Sequence, residues 1–77
     1  MSDRKRLKRM ADILWNKYDD EIRDYGDWFW ATRRWEFNFV CEPDFESIVA
    51  YRRNGCETDW SDYVVLEERV KEWRTVV

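Results

Sequence analysis

Between residues 28 and 41 the chain reads Trp-Phe-Trp-Ala-Thr-Arg-Arg-Trp-Glu-Phe-Asn-Phe-Val-Cys, and six of the first twelve side chains in that stretch are aromatic. Each such ring removes roughly 150–250 Å² from water when buried, so six of them account for on the order of 1,000 Å². A chain of 77 residues is expected to bury only about 64% of its unfolded surface, so this stretch has to furnish much of the core. Its local structure is ambiguous from pattern alone. As a helix its apolar groups surround the axis; as a strand Trp35, Phe37, Phe39 and Cys41 alternate with Glu36, Asn38 and Val40. Aromatic enrichment favours the strand. Against it, Asp27 after Gly26 is a good helix N-cap, and Arg33-Arg34 is poor chemistry for a hairpin turn. Extended structure is expected for residues 35–41 only.

Upstream, apolar residues fall at Leu7, Ala11, Leu14, Tyr18, Ile22 and Tyr25, a helical stripe widened by Met10 and Trp15. The pattern predicts one helix over residues 3–25, about 35 Å long at 1.5 Å per residue, stopped by Gly26 in the left-handed conformation. Downstream, Pro43 ends whatever precedes it. Asp44 and Glu46, followed by Arg52, Arg53, Asn54 and Gly55, are ordered as in a short helix with Phe45, Ile48 and Val49 facing inward. The rival there is a hairpin through Asn54-Gly55.

Thr58, Asp59 and Ser61 as caps, with Tyr63, Leu66, Val70 and Trp73 spaced 3, 4 and 3, predict a last helix over residues 59–74. The run Tyr63-Val64-Val65-Leu66 also suits a strand. The expected fold is a single domain over residues 1–77, mainly α with a short β element (α+β). It comprises a long N-terminal helix, an aromatic-rich extended segment or hairpin, a short middle helix and a C-terminal helix. The alternative is a small all-α bundle.

Charge is distributed unevenly. The first nine residues carry Arg4, Lys5, Arg6, Lys8 and Arg9 against Asp3, or +4, which leaves −7 on the rest of a chain whose net charge is −3. On a single helix over residues 3–25 these cations occupy the first turns, and Asp19, Asp20, Glu21 and Asp24 lie near the end. Both placements oppose the helix dipole. Two copies of such a helix packed antiparallel would set the cations of one along the acids of the other, with Leu7, Leu14 and Tyr18 as apolar contact. An isologous homodimer is the expectation.

The residue inventory excludes most chemistry. Histidine is absent, which removes the usual general base and the commonest metal ligand. Cys41 and Cys56 therefore have no partner to activate them, are too few for a disulfide framework, and read as two reduced thiols. Asp19-Asp20-Glu21 and Glu67-Glu68 are neighbours in sequence but diverge on a helix, whereas a divalent ion needs converging oxygens. Gly26 and Gly55 stand alone, so there is no phosphate loop. No catalytic, cofactor or metal residue is assigned. No apolar run approaches the roughly 18 residues that cross a bilayer, and no secretory signal is evident; the expected location is cytoplasmic.

What remains is binding. The basic arm with exposed tryptophans suggests nucleic acid, but the surrounding −7 repels a polyanion. Tryptophan, tyrosine and arginine carry much of the energy of protein interfaces, and the chain holds 6 Trp and 4 Tyr. Trp28 and Trp30 join the charged residues of the first helix as candidate contacts. The expectation is a non-enzymatic protein that binds a macromolecular protein partner as an inhibitor or adaptor, with nucleic-acid binding through the basic arm as the alternative. In size, acidity and aromatic content the chain resembles early or anti-defence proteins of bacteriophages, which inhibit a host enzyme stoichiometrically. That resemblance covers no motif; for a phage protein it implies the host cytoplasm.

Overall fold

Three tight turns convert the chain from Asp27 to Val70 into one antiparallel sheet. The computed structural model describes residues 3–70, in the order α1 (Asp3–Lys17), α2 (Asp19–Tyr25), β1 (Asp27–Ala31), β2 (Trp35–Cys41), β3 (Phe45–Asn54) and β4 (Glu57–Val70). Strand order in the sheet is β1-β2-β3-β4, each strand paired with its sequence neighbour. Of the described residues, 53% are in strands and 32% in helices, which overturns both the mainly α expectation and its all-α alternative.

Each turn has a local chemical cause. Between β1 and β2 the hydroxyl of Thr32 accepts from the Trp35 amide at 3.0 Å and donates to the Trp35 carbonyl. A threonine side chain thus closes the turn that Arg33-Arg34 did not announce. Pro43 and Asp44 occupy the centre of the next turn, closed by the Glu42 amide on the Phe45 carbonyl at 2.8 Å, with proline at the position that its fixed φ suits. Gly55 and Cys56 link β3 to β4, Gly55 at φ +71°. This is the rival hairpin, displaced by one residue so that Asn54 ends the strand. The Arg53 guanidinium ties the first and third turns together, donating to the carbonyls of Thr32 at 2.6 Å and Cys56 at 3.3 Å.

The middle helix is therefore β3, and the C-terminal helix is β4 at least through Val70. Trp73 and the rest of that expected helix lie outside the described residues. Residues 45–54 satisfy a helical template because Phe45, Ile48 and Val49 recur at helical spacing. Ile48 and Ala50 are equally placed for a strand, and pairing on both sides decides between the two. Residues 35–41 are extended as expected, but not they alone: Asp27 opens strand β1 and caps no helix, because Asp27–Ala31 finds its hydrogen-bond partners in β2.

The sheet has one covered face. Phe37, Phe39, Ile48, Ala50 and Leu66 point to it and form the core with Leu7, Ala11, Leu14 and Ile22 of the helices. Phe37 and Phe39 are fully buried. Two register shifts allow β4 to follow. Leu66 is an extra residue between the Ile48–Glu67 and Val49–Val65 pairs, and Trp60, Ser61 and Asp62 are extra between the Tyr51–Tyr63 and Arg52–Asp59 pairs.

The single helix over residues 3–25 is two. Tyr18 leaves helical geometry at φ −116° and ψ 28°, and its ring packs on Trp28 at 4.7 Å and Trp30 at 5.2 Å. No proline or glycine forces the bend. The bent form gains this aromatic stack, and Asp19 accepts from the Trp15 indole N–H and Arg23 Nε, each four residues away and each at 2.9 Å. Asp19, Asp20 and Glu21 consequently fall in the first turn of α2, where the dipole favours them. The apparent charge reversal comes from treating two helices as one. Gly26 caps α2 at φ 72°, its amide on the Ile22 carbonyl, as expected.

Candidate functional site

Because both helices lie on one face, the alternate residues of every strand project from the other. Aligned by register across this outer face are Phe29, Asn38, Val49 and Val65, and beside them Ala31, Glu36, Tyr51 and Tyr63. An open antiparallel face is ordinarily polar. Here Phe29 is 63% exposed, Trp60 60% and Tyr63 56%. Tyr51 meets Trp60 edge-to-face with centroids 4.8 Å apart and Tyr63 at 5.9 Å.

The three-residue bulge puts Trp60 there. Asp59 accepts hydrogen bonds from the Ser61 amide at 3.0 Å and the Ser61 hydroxyl at 2.6 Å. Those bonds, the hydroxyl's first, hold its carboxyl below the ordinary carboxylate value. Nearby, Glu36 accepts from Asn38 at 2.9 Å and Thr58 at 3.2 Å. On the covered side of the same region Arg52 lies over the Trp35 ring at 4.6 Å and pairs with Asp62 at 3.1 Å, a guanidinium held between an aromatic ring and a carboxylate.

A cleft of about 410 Å³ opens on the covered side, lined by Asp12, Trp15, Arg23, Glu46, Ile48 and Glu67 among others. Its charges are engaged with neighbours. Asp12 pairs with Lys8, Glu67 with Arg69 at 3.7 Å, and Arg23 with Asp19, whose hydrogen bond raises the arginine above its ordinary value. The Cys41 thiol is 3.8 Å from Glu46 Oε1. Among the described residues no group of histidine, cysteine or carboxylate side chains is arranged to hold a metal ion. Cys41 and Cys56 lie at opposite ends of β3, about 30 Å apart at strand rise, too far to form a disulfide within one chain.

The residues singled out by sequence are distributed differently from the expected helix pair. Leu7 and Leu14 are buried against the chain's own sheet, and Tyr18 is partly buried in the stack with Trp28 and Trp30. The apolar contact assigned to a helix-to-helix homodimer is thus used internally. Arg4 is also structural, since its Nε donates to the Val65 carbonyl at 3.3 Å and its Nη2 to that of Leu66 at 3.2 Å, beside the Leu66 bulge. Lys5, Arg6 and Arg9 are exposed, as are Asp20, Glu21 and Asp24. Trp30 is 37% exposed and Trp28 partly buried.

The basic arm lies on the helical side, away from the open aromatic face, so exposed cations and stacking rings do not form one surface. Sequence reasoning misses Phe29, Tyr51, Trp60 and Tyr63. The usable signal is the β-favouring run around Tyr63; nothing in the order of residues announces the bulge that turns Trp60 outward. Among the described residues no helix is long and apolar enough to cross a membrane. No protein-family model matches the chain, and no curated protein or solved structure is significantly similar to it.

Proposed function

We propose that this protein acts by binding another protein through the open face of its sheet, as a stoichiometric inhibitor or adaptor without catalytic activity of its own. The cytoplasm is the compartment that suits its two thiols. The observation that carries the reading is the exposure of Trp60, Tyr63 and Val65 on β4 and of Phe29 on β1, all on a face that no described element covers. Aromatic side chains left in contact with water at this density mark contact surfaces. Tyrosine and tryptophan are also the residues whose truncation most often weakens an interface. The aromatic groups of the helical side are largely buried or stacked and serve the fold.

The test compares two surface variants as baits in cell lysate. Phe29→Ser/Trp60→Ser/Tyr63→Ser alters the open face, and Met10→Ser/Ile13→Ser alters exposed positions on α1. The proposal expects a protein retained at near one-to-one stoichiometry by the unaltered chain and the helix variant, and lost from the sheet variant. Equal retention by all three rejects the open face as the contact. Saturable turnover of a substrate by the purified protein rejects the non-enzymatic reading.

A further inference from the structure

Resting on the protein-binding reading above, we infer that the segment recognised by the open face is basic: a lysine- or arginine-bearing stretch of the partner lying across β4, with a cation against the Tyr51, Trp60 and Tyr63 rings beside Glu36. The inference begins from charge. Of the five carboxylates of β4, Glu57, Asp59, Asp62 and Glu67 lie toward the covered side, where Arg52 pairs with Asp62, and Glu68 lies toward the open one. β4 is an edge strand of the sheet. By register, Asp27, Glu36 and Glu68 project on the open side with the aromatic residues. The arginine of β3 on that side, Arg53, is partly buried and bound to the carbonyls of Thr32 and Cys56. An apolar segment alone would leave these carboxylates desolvated without compensation, and an acidic segment or a polynucleotide would be repelled.

Geometry adds the second reason. Aromatic ring faces attract cations, and a carboxylate beside the ring adds its own coulombic attraction. The chain builds this arrangement internally from Trp35, Arg52 and Asp62. On the open side Tyr51, Trp60 and Tyr63 bring three rings together with centroid separations of 4.8 and 5.9 Å. Glu36 lies opposite Tyr51 on that side and accepts from the hydroxyl of Thr58, two residues before Trp60, at 3.2 Å. The same face argues against a second copy of the chain as occupant, because two such faces would oppose carboxylate to carboxylate.

Three synthetic twelve-residue peptides with alternating valine, differing only in arginine, glutamine or glutamate at the other positions, test this on the full chain. Binding is followed by tryptophan fluorescence and mapped by amide and indole NMR shifts. The arginine peptide is expected to bind at least tenfold more tightly than the glutamine peptide, to move the Trp60 indole and β4 amides, and to weaken with added salt. Trp60→Leu and Glu36→Gln should each reduce its affinity severalfold while leaving the remaining amide spectrum folded.

Equal binding of the arginine and glutamine peptides at this face overturns the charge requirement and leaves the protein-binding face standing. Shifts confined to α1 or the cleft near Asp12 overturn the assigned place. If no peptide moves the face but a twelve-nucleotide oligothymidylate does, both readings fail together. A dimeric mass by light scattering with Trp60 and Tyr63 protected makes the occupant a second copy and also overturns the inference.

Discussion

The two faces of the sheet draw on similar side chains and put them to different uses. Trp28, Trp35, Phe37 and Phe39 face the helices, and Phe29, Tyr51, Trp60 and Tyr63 face away from them. What separates the two sets is the layer above them. A 15-residue helix and a 7-residue helix are enough to cover one side of four strands, and the described chain offers nothing to cover the other. Aromatic content therefore does not tell core from exposed face in a domain this small; the side of the strand does.

Removing a large ring from each face should give opposite results. Phe39→Ala takes a fully buried side chain out of contact with Trp15, Trp28 and Phe37. It should cost about 3–5 kcal/mol, seen in urea titration as loss of most or all of the folded baseline. A milder midpoint shift, matching that of an outer-face variant, would mean that the faces are not energetically distinct.

Arg53 sharpens the contrast, since it lies among outer-face residues yet holds two turns together. Arg53→Ala removes the charged bonds to the Thr32 and Cys56 carbonyls and should lose about 1–3 kcal/mol. Hydrogen exchange should accelerate selectively in the β1–β2 and β3–β4 turns. Trp60→Ser with Tyr63→Ser should change stability by only about 1 kcal/mol, the scale of the aromatic contacts to Tyr51, while abolishing partner capture. A loss as large as that of Phe39→Ala would place these rings in the core in solution.

The smallest effect is a titration confined to the bulge. With the Asp59 carboxyl held below its ordinary 3.8 by Ser61, the ionised form favours the bulge. Its contribution is present above that ordinary value and is lost as pH falls through the lower folded value. The Ser61 amide resonance should move with a midpoint below 3.8, Asp59→Asn should abolish the step, and Phe39 resonances should stay still across it.

Several features are legible in the order of residues alone. Leu7, Ala11, Leu14 and Ile22 form one apolar stripe in the sequence and face one core in the fold; Gly26 has the chemistry of a left-handed stop and is one. The period of two over residues 35–41 marks a strand, and β2 has those bounds. The bend at Tyr18 is not legible, because the stripe continues through it and the stack on Trp28 and Trp30 that it makes possible is tertiary. Nor is the open face, since Tyr63 fits both an inward helical position and an outward strand position.

Composition, periodicity and glycine placement by themselves determined the stop at Gly26, the apolar stripe of the first 25 residues, the extended run over residues 35–41 and the absence of histidine-dependent chemistry. These follow from local sterics and from side-chain chemistry that needs no partner strand. Tertiary structure decided that residues 45–70 pair as strands instead of coiling, and that Trp60 and Tyr63 face outward. Hydrogen bonding between strands and the coverage of one face by α1 and α2 are properties of the assembled sheet, and short apolar runs that suit either period leave the choice to them.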